Sequence, residues 1–261
     1  MPFTETDGLR YLTFESLAQA PVVAAVFTRQ GGVSEGPHAS LNVGALVGDK
    51  RDRVDENLER IFAAIGRPRN SLFDSWLVHS ARALVADAPR PPEWERPPQA
   101  DIVLTNNPHV TLFMRYADCV PIVYYDPGHH AIGLAHAGWR GSLLKVAARA
   151  VEAMGKAYGS KPQDLLVCLG PAICTKHYEV GDEVAEQVRQ VYGDAADLFL
   201  SKLDGHAHLD LIGMNQDTLE QLGVNQLEIA PMCTYSESGD WFSHRASGGR
   251  TGRFGALIAL D

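Results

Sequence analysis

Apolar residues in this chain come mostly in short dense runs, the pattern of buried strands rather than long helices. Pro21 to Thr28 (PVVAAVFT) is the first such run. Leu72 to Val78 and Ala83 to Ala86 follow, then Asp101 to Thr105, Val110 to Tyr116, Val120 to Tyr125 and Ala131 to His136, rich in Val, Ile, Leu and aromatics with short breaks between them. Leu165 to Leu169, Leu227 to Ala230 and Phe254 to Leu260 complete the predicted strands. The period changes between Asp49 and Gly66. There Val54, Leu58, Ile61, Phe62 and Ile65 fall on one stripe, and Gly66 and Pro68 stop the helix. Similar stripes predict helices over Ser142 to Tyr158, Asp182 to Tyr192 and Leu209 to Leu222. Pro89, Pro91, Pro92, Pro97 and Pro98 mark an irregular surface segment. Strands dominate the middle and helices are scattered. The expected fold is therefore α+β, a single domain over residues 1–261 with a mixed β-sheet core flanked by helices, and no internal repeat is visible.

Composition narrows the function. The net charge is −9 with no basic block, which argues against nucleic-acid backbones and anionic membrane surfaces but leaves room for a small anionic ligand. The acidic start lacks a secretory n-region, and no apolar run is long enough to span a bilayer, so a cytoplasmic location is expected. Cys119, Cys168, Cys174 and Cys233 contain no CxxC pair and are expected as thiols.

The stretch with most chemical promise is Ala131-Ile-Gly-Leu-Ala-His-Ala-Gly-Trp-Arg-Gly-Ser142. An apolar run ends at His136, glycines bracket Trp139 and Arg140, and a helical pattern begins at Ser142. A turn between a rigid strand and a helix start can present a ligand or a base, and the helix start can attract an anion. His79, Cys119 and His136 each sit at the end of a β-like segment, and strand ends of one sheet can meet at an edge. A Cys/His/His set leaves one tetrahedral position for water, as in a catalytic zinc site. An ordinary buried cysteine, a core histidine and a loop histidine would fit the same residues. Asp118 is a candidate proton shuttle, although strand alternation would turn it to the opposite face, and Glu179 is a second carboxylate candidate. Arg29 and Asn42 fall in a Gly-rich loop that reads as a shaped binding loop. Arg140, Arg245 and Arg250 also sit beside Gly or Ser, and with Arg29 they are candidate anion ligands.

Several ordered blocks together resemble one family. They are Phe27-Thr-Arg-Gln-Gly-Gly-Val-Ser34, Ser40-Leu-Asn-Val-Gly44, Val78-His79, Ala117-Asp-Cys-Val-Pro-Ile122, His136-Ala-Gly-Trp-Arg-Gly141, Leu169-Gly-Pro-Ala-Ile173, Tyr178-Glu-Val-Gly181, Phe242-Ser-His-Arg245 and Thr251-Gly-Arg253. Their order and spacing are similar to those of the YfiH-like family, first described as laccase-domain or polyphenol oxidoreductase proteins and later as purine nucleoside phosphorylases. The resemblance runs from about Val22 to the C-terminus. It implies an α/β domain of unusual sheet topology and a zinc site built from His79, Cys119 and His136. It implies phosphorolysis of adenosine, inosine, guanosine and methylthioadenosine, and deamination of adenosine. Copper has also been attached to the family. Two departures stand out. Leu77 occupies the place of a usual Gln, and Cys174-Thr-Lys-His177 replaces a block where small residues, Pro and Cys are more usual.

The expectation is a zinc enzyme acting on purine nucleosides and phosphate, with Cys119, His136 and Asp118 in catalysis and Arg29, Asn42, Arg140 and Arg245 in substrate binding. No protein partner is implied. Its rivals are a copper polyphenol oxidase, a cysteine hydrolase using Cys119 with His136 as base, and a protein in which zinc is only structural. The one HxH pair, His206-Ala-His208, lies outside the family blocks, which weakens the copper oxidase.

Overall fold

The computed structural model describes residues 1–91 and 96–261. Pro92, part of the expected irregular segment, lies outside them. In chain order the first strands are β1 (Phe3–Thr6), β2 (Leu9–Leu12), β3 (Val22–Phe27), β4 (Leu72–Asp74) and β5 (Ala83–Val85). The central ones are β6 (Ile102–Thr105), β7 (Thr111–Tyr116), β8 (Val120–Asp126), β9 (Ala131–Ala137) and β10 (Leu166–Leu169). The last are β11 (Glu179–Val180), β12 (Leu200–Leu203), β13 (His206–Leu209), β14 (Gln226–Ile229) and β15 (Phe254–Leu260). The helices are α1 (Arg51–Ala64), α2 (Trp139–Leu143), α3 (Val146–Tyr158), α4 (Asp182–Tyr192) and α5 (Leu211–Gln221).

The expected mixed sheet is divided in two. One six-stranded sheet runs β1-β2-β3-β15-β7-β4, the other β14-β10-β8-β9-β6-β5, and β11-β13-β12 form a small third sheet. Most pairs are antiparallel; β4 with β7, β5 with β6 and β10 with β14 are parallel. Side-chain alternation explains the layering. Leu112, Met114, Ala256 and Ile258 of the first sheet meet Val103, Val123, Ile132 and Leu134 of the second in one buried core. The alternate residues face outward into two further cores. Phe27, Phe113 and Leu257 pack on Leu58, Ile61 and Phe62 of α1. Ile102, Ile122, Tyr124 and Leu169 pack on Ala147, Val151 and Met154 of α3. The order is helix, sheet, sheet, helix, with both sheets apolar on both faces, which is why their strands read as continuous apolar runs. The fold is α+β and forms a single domain, and no described helix is long and apolar enough to cross a membrane.

Two local expectations are corrected, and two hairpins join the expected elements. The hairpins β1–β2 and β12–β13 were not foreseen, because their strands are short and polar on one side. Their turns, Asp7-Gly8 and Asp204-Gly205, have positive φ at both residues (51° and 78°, 50° and 87°), as a two-residue type I′ turn requires. The expected Ser142–Tyr158 helix is two helices, broken where Lys145 adopts a left-handed φ of 59°, and the first begins at Trp139. The expected strand from Leu72 stops at Asp74, so His79 lies in an irregular segment with φ 58°.

Candidate metal centre and its cavity

The chain leaves the first sheet at Tyr116 and enters the second at Val120, crossing on Ala117, Asp118 and Cys119. Val120 pairs with Ala137 and Pro121 with His136, so the antiparallel register brings Cys119 beside the end of β9. His79 reaches the same point from its loop. The ligand atoms of His79, Cys119 and His136 all lie within 4.8 Å of one another. The two imidazole rings meet edge to face with centroids 5.0 Å apart. Gly138 closes the cluster. A Cβ there would stand 2.9 Å from His79 Cδ2 and 3.0 Å from Cys119 Sγ, so only glycine lets the backbone come this near.

Asp101, the residue just before β6, organises both histidines. Its fully buried carboxylate accepts from the backbone N–H groups of Val78 (3.2 Å), His79 (3.0 Å) and Ser80 (2.7 Å) and from Ser80 Oγ (2.9 Å). It also lies 3.0 Å from His136 Nδ1. Three successive amides converging on one carboxylate hold the His79 loop in its left-handed turn. The contact at His136 Nδ1 fixes that proton and leaves Nε2 for a ligand, the usual arrangement behind a metal-binding histidine. Burial pushes the Asp101 carboxyl up, but the bonds from His136 and Ser80 outweigh it, and its pKa is lowered. Composition and periodicity gave no signal for this residue beyond an acid at the head of an apolar run.

The electrostatics suit a cation. Burial pushes the Cys119 thiol up, yet the His136 and His79 rings beside it bring it down to about 6. Burial disfavours a charged His136, but the Cys119 charge and Asp101 raise it to about 9. Each charge favours the other, so Cys119 and His136 share a proton that a metal ion would displace on binding. One soft and two borderline donors match zinc and equally match a single copper ion, and with three protein ligands a fourth position stays open.

The three residues line a cavity of about 970 Å³, large enough for a nucleoside. Asp118 and Leu77 also line it. Asp118 has φ 86°, so strand alternation does not apply to it; its carboxylate accepts from Thr234 Oγ1 (2.6 Å) and the Arg245 N–H (2.7 Å). Arg245 lines the cavity with its guanidinium over Tyr178. The other expected substrate residues do not line it. Arg29 donates to Ala39 O and Ser238 O and lies over Phe242. Exposed Arg140 lies over Trp139. The Asn42 amide is spent on Gly44, Asp49 and the Arg253 N–H. Glu179 turns its carboxylate to His206. Lining residues not expected from the sequence include Arg115, Arg253 and Ser75. Arg253 closes the Thr251-Gly-Arg block, and burial lowers its pKa against the opposing charges of Cys119 and Asp118. Ser75 has a buried hydroxyl with no hydrogen-bond partner among the described residues.

A family model described as "Multi-copper polyphenol oxidoreductase laccase" matches residues 23–261. A purine nucleoside phosphorylase of Deinococcus radiodurans is 39% identical over 249 residues, covering 94% of this chain and 92% of that one. The purine nucleoside phosphorylase YfiH of Escherichia coli is 34% identical over 241 residues, covering 92% and 94%. The crystal structure of YlmD from Geobacillus stearothermophilus superposes with a TM-score of 0.91 at 31% identity, covering 98% of this chain and 97% of that one.

Proposed function

Since the chain belongs to the YfiH-like family, whose model is described as multi-copper polyphenol oxidoreductase laccase, we propose that it is a zinc-dependent purine nucleoside phosphorylase. The observation that carries this reading is the convergence of His79, Cys119 and His136 on one wall of a nucleoside-sized, arginine-lined cavity. His79, Cys119 and His136 would hold the ion. Asp101 orients His136 and the His79 loop for it. When bound, the ion supplies Lewis acidity, which polarises an oxygen or acidifies a water.

The rest of the work falls to the chain. In phosphorolysis an oxygen of hydrogen phosphate attacks C1′ of the ribose, the bond from C1′ to the purine nitrogen breaks with its electron pair going to that nitrogen, and the proton shed by the phosphate ends on the base. Arg253 and Arg245 line the cavity and would hold the phosphate; a partly desolvated guanidinium binds an anion more strongly than an exposed one. This assignment replaces Arg29 and Arg140. Asp118 anchors the Arg245 backbone through its carboxylate and lines the same space. Leu77 offers an apolar surface in place of an amide. The walls formed by Trp139 and Tyr178 suit the flat face of a purine. Adenosine deamination on the same site is a second activity of this reading, resting on the open coordination position.

Copper fits the donor set as a single ion. Reduction of dioxygen by a laccase, however, needs further coppers in a His-rich cluster. Among the described residues only one other metal-capable cluster is present, and it contains two cysteines and one histidine. The His206-Ala-His208 pair belongs to neither. Incubation with inosine and phosphate tests the proposal. Hypoxanthine and ribose 1-phosphate should appear in equal amounts, and only with phosphate present. Free ribose formed without phosphate, or oxidation of a phenol without any base release, would overturn it.

A further inference from the structure

The second cluster lies where β10 gives way to the Ala172–Tyr178 loop and where the chain turns after β14. Cys174 Sγ lies 3.3 Å from His177 Nδ1, and Cys233 Sγ lies 3.6 Å from the same nitrogen. All three donor atoms fall within 4.8 Å of one another. Tetrahedral zinc with Zn–S of about 2.3 Å and Zn–N of about 2.1 Å separates nitrogen from sulfur by about 3.6 Å, so the three donors already stand near coordination spacing. Ser236 Oγ is 3.3 Å from His177 Nδ1.

Two further features fit a metal better than a chance meeting of side chains. The Cys174 N–H donates to Cys233 Sγ at 3.3 Å, as backbone amides do toward a thiolate ligand. The His177 ring is stacked on Tyr235 with centroids 4.3 Å apart and planes 9° from parallel, which aims Nδ1 at the sulfurs. In sequence the donors form Cys174-Thr-Lys-His177 and Cys233-Thr-Tyr-Ser236, two loops of equal spacing. Each places its first and fourth residues on a common point.

We propose that Cys174, His177 and Cys233, with Ser236 at the fourth position, form a second, structural site for a divalent zinc-class ion, separate from the cavity centre. The ion adds a clasp to two loops that also meet through the Ala172–Cys233 β-bridge, the Thr234 N–H to Ala172 O bond, the Cys174 N–H to Cys233 Sγ bond and the His177–Tyr235 stack. Those loops hold the residue next to Cys119. Ile173 N donates to Asp118 O at 3.0 Å, and Thr234 Oγ1 donates to Asp118 Oδ1 at 2.6 Å. The second ion therefore braces the backbone of the cavity centre without touching it.

The test counts zinc per chain by elemental analysis in Cys119→Ala and in Cys119→Ala/Cys233→Ala, both purified with a reductant. The first should keep one zinc and the second none; equal zinc in the two overturns the site. In the wild-type chain, zinc should slow alkylation of the half-buried Cys174 by a maleimide at least tenfold relative to a chelator. This readout does not depend on a variant folding. Equal rates with zinc and with chelator, or a Cys174–Cys233 disulfide in the reduced preparation, would also overturn it. Failure of the cavity centre looks different: Cys119→Ala would then hold as much zinc as the wild type.

Discussion

Asp101→Asn isolates the residue on which the whole centre hangs. The substitution keeps the size of the side chain and removes one acceptor oxygen and the charge. Five donors now converge on that carboxylate: the amides of Val78, His79 and Ser80, Ser80 Oγ, and His136 Nδ1. If the new amide nitrogen takes the place of Oδ2, it faces the Val78 and Ser80 N–H groups. Each of those loses its acceptor in a buried setting at a cost of about 1–3 kcal/mol. If the nitrogen takes the place of Oδ1, it faces His136 Nδ1. That ring must then carry its proton on the nitrogen a metal needs. In either orientation the support behind the ligand is damaged, which in such sites lowers metal affinity by about 10–100-fold, or roughly 1.4–2.8 kcal/mol. Zinc competition against a chromophoric chelator measures the first effect, and thermal unfolding of the metal-free chain measures the second. A variant that binds zinc within about twofold of the wild type would refute the reasoning, since Asp101 would then be a filler of the core.

Three further outcomes follow from named contacts. Gly138→Ala drives a methyl onto His79 and Cys119, and overpacking of about 1–3 kcal/mol should cut zinc affinity about tenfold or more in the same competition assay, whereas unchanged affinity would show the backbone free to retreat. Arg253→Ala should raise the phosphate KM about tenfold or more while Arg140→Ala leaves it unchanged, and the reverse result in steady-state kinetics would restore the anion to the Trp139–Gly141 turn. Glu228 accepts from Ser16 Oγ and from the Ser16 and Glu15 amides; burial raises its pKa, but these bonds outweigh burial and lower it. A depressed folded pKa gives stability that is present above the unfolded value and is lost as pH falls through the folded one. Urea unfolding of Glu228→Gln should therefore show about 1–2 kcal/mol less stability at neutral pH and a gap that closes in acid; a gap independent of pH would contradict this.

The strands that carry the centre were legible because β6 to β9, β10 and β15 are buried on both faces, so their apolar runs announce them. Periodicity placed α1 and α4 for a different reason, since each buries a single stripe at helical spacing. It could not divide the strands between two sheets, since a residue facing the core between the sheets and one facing a helix are both apolar. The hairpins at Asp7-Gly8 and Asp204-Gly205 had a usable turn signal, but their flanking strands are too short and polar to draw notice. At the site, His79, Cys119 and His136 were found through their types and their family blocks. Their meeting depends on the β8–β9 register and on Asp101, neither of which spacing reveals. Arg29, Asn42 and Arg140 look like ligands beside glycines, yet the chain itself uses their polar groups or places them outside the cavity. The Cys174–His177 and Cys233–Ser236 loops are 59 positions apart at their cysteines, too far for a motif to show that they share a centre.

The central claim is that an ion at His79, Cys119 and His136 drives phosphorolysis. The most direct measurement strips metal from the wild-type chain and from Cys119→Ala, returns zinc stepwise, and follows hypoxanthine released from inosine in phosphate. The wild type should fall to background when stripped and recover with zinc. Cys119→Ala, folded by circular dichroism, should stay at background at every zinc level. Undiminished turnover by the stripped wild type, or wild-type rates from Cys119→Ala, would contradict the account.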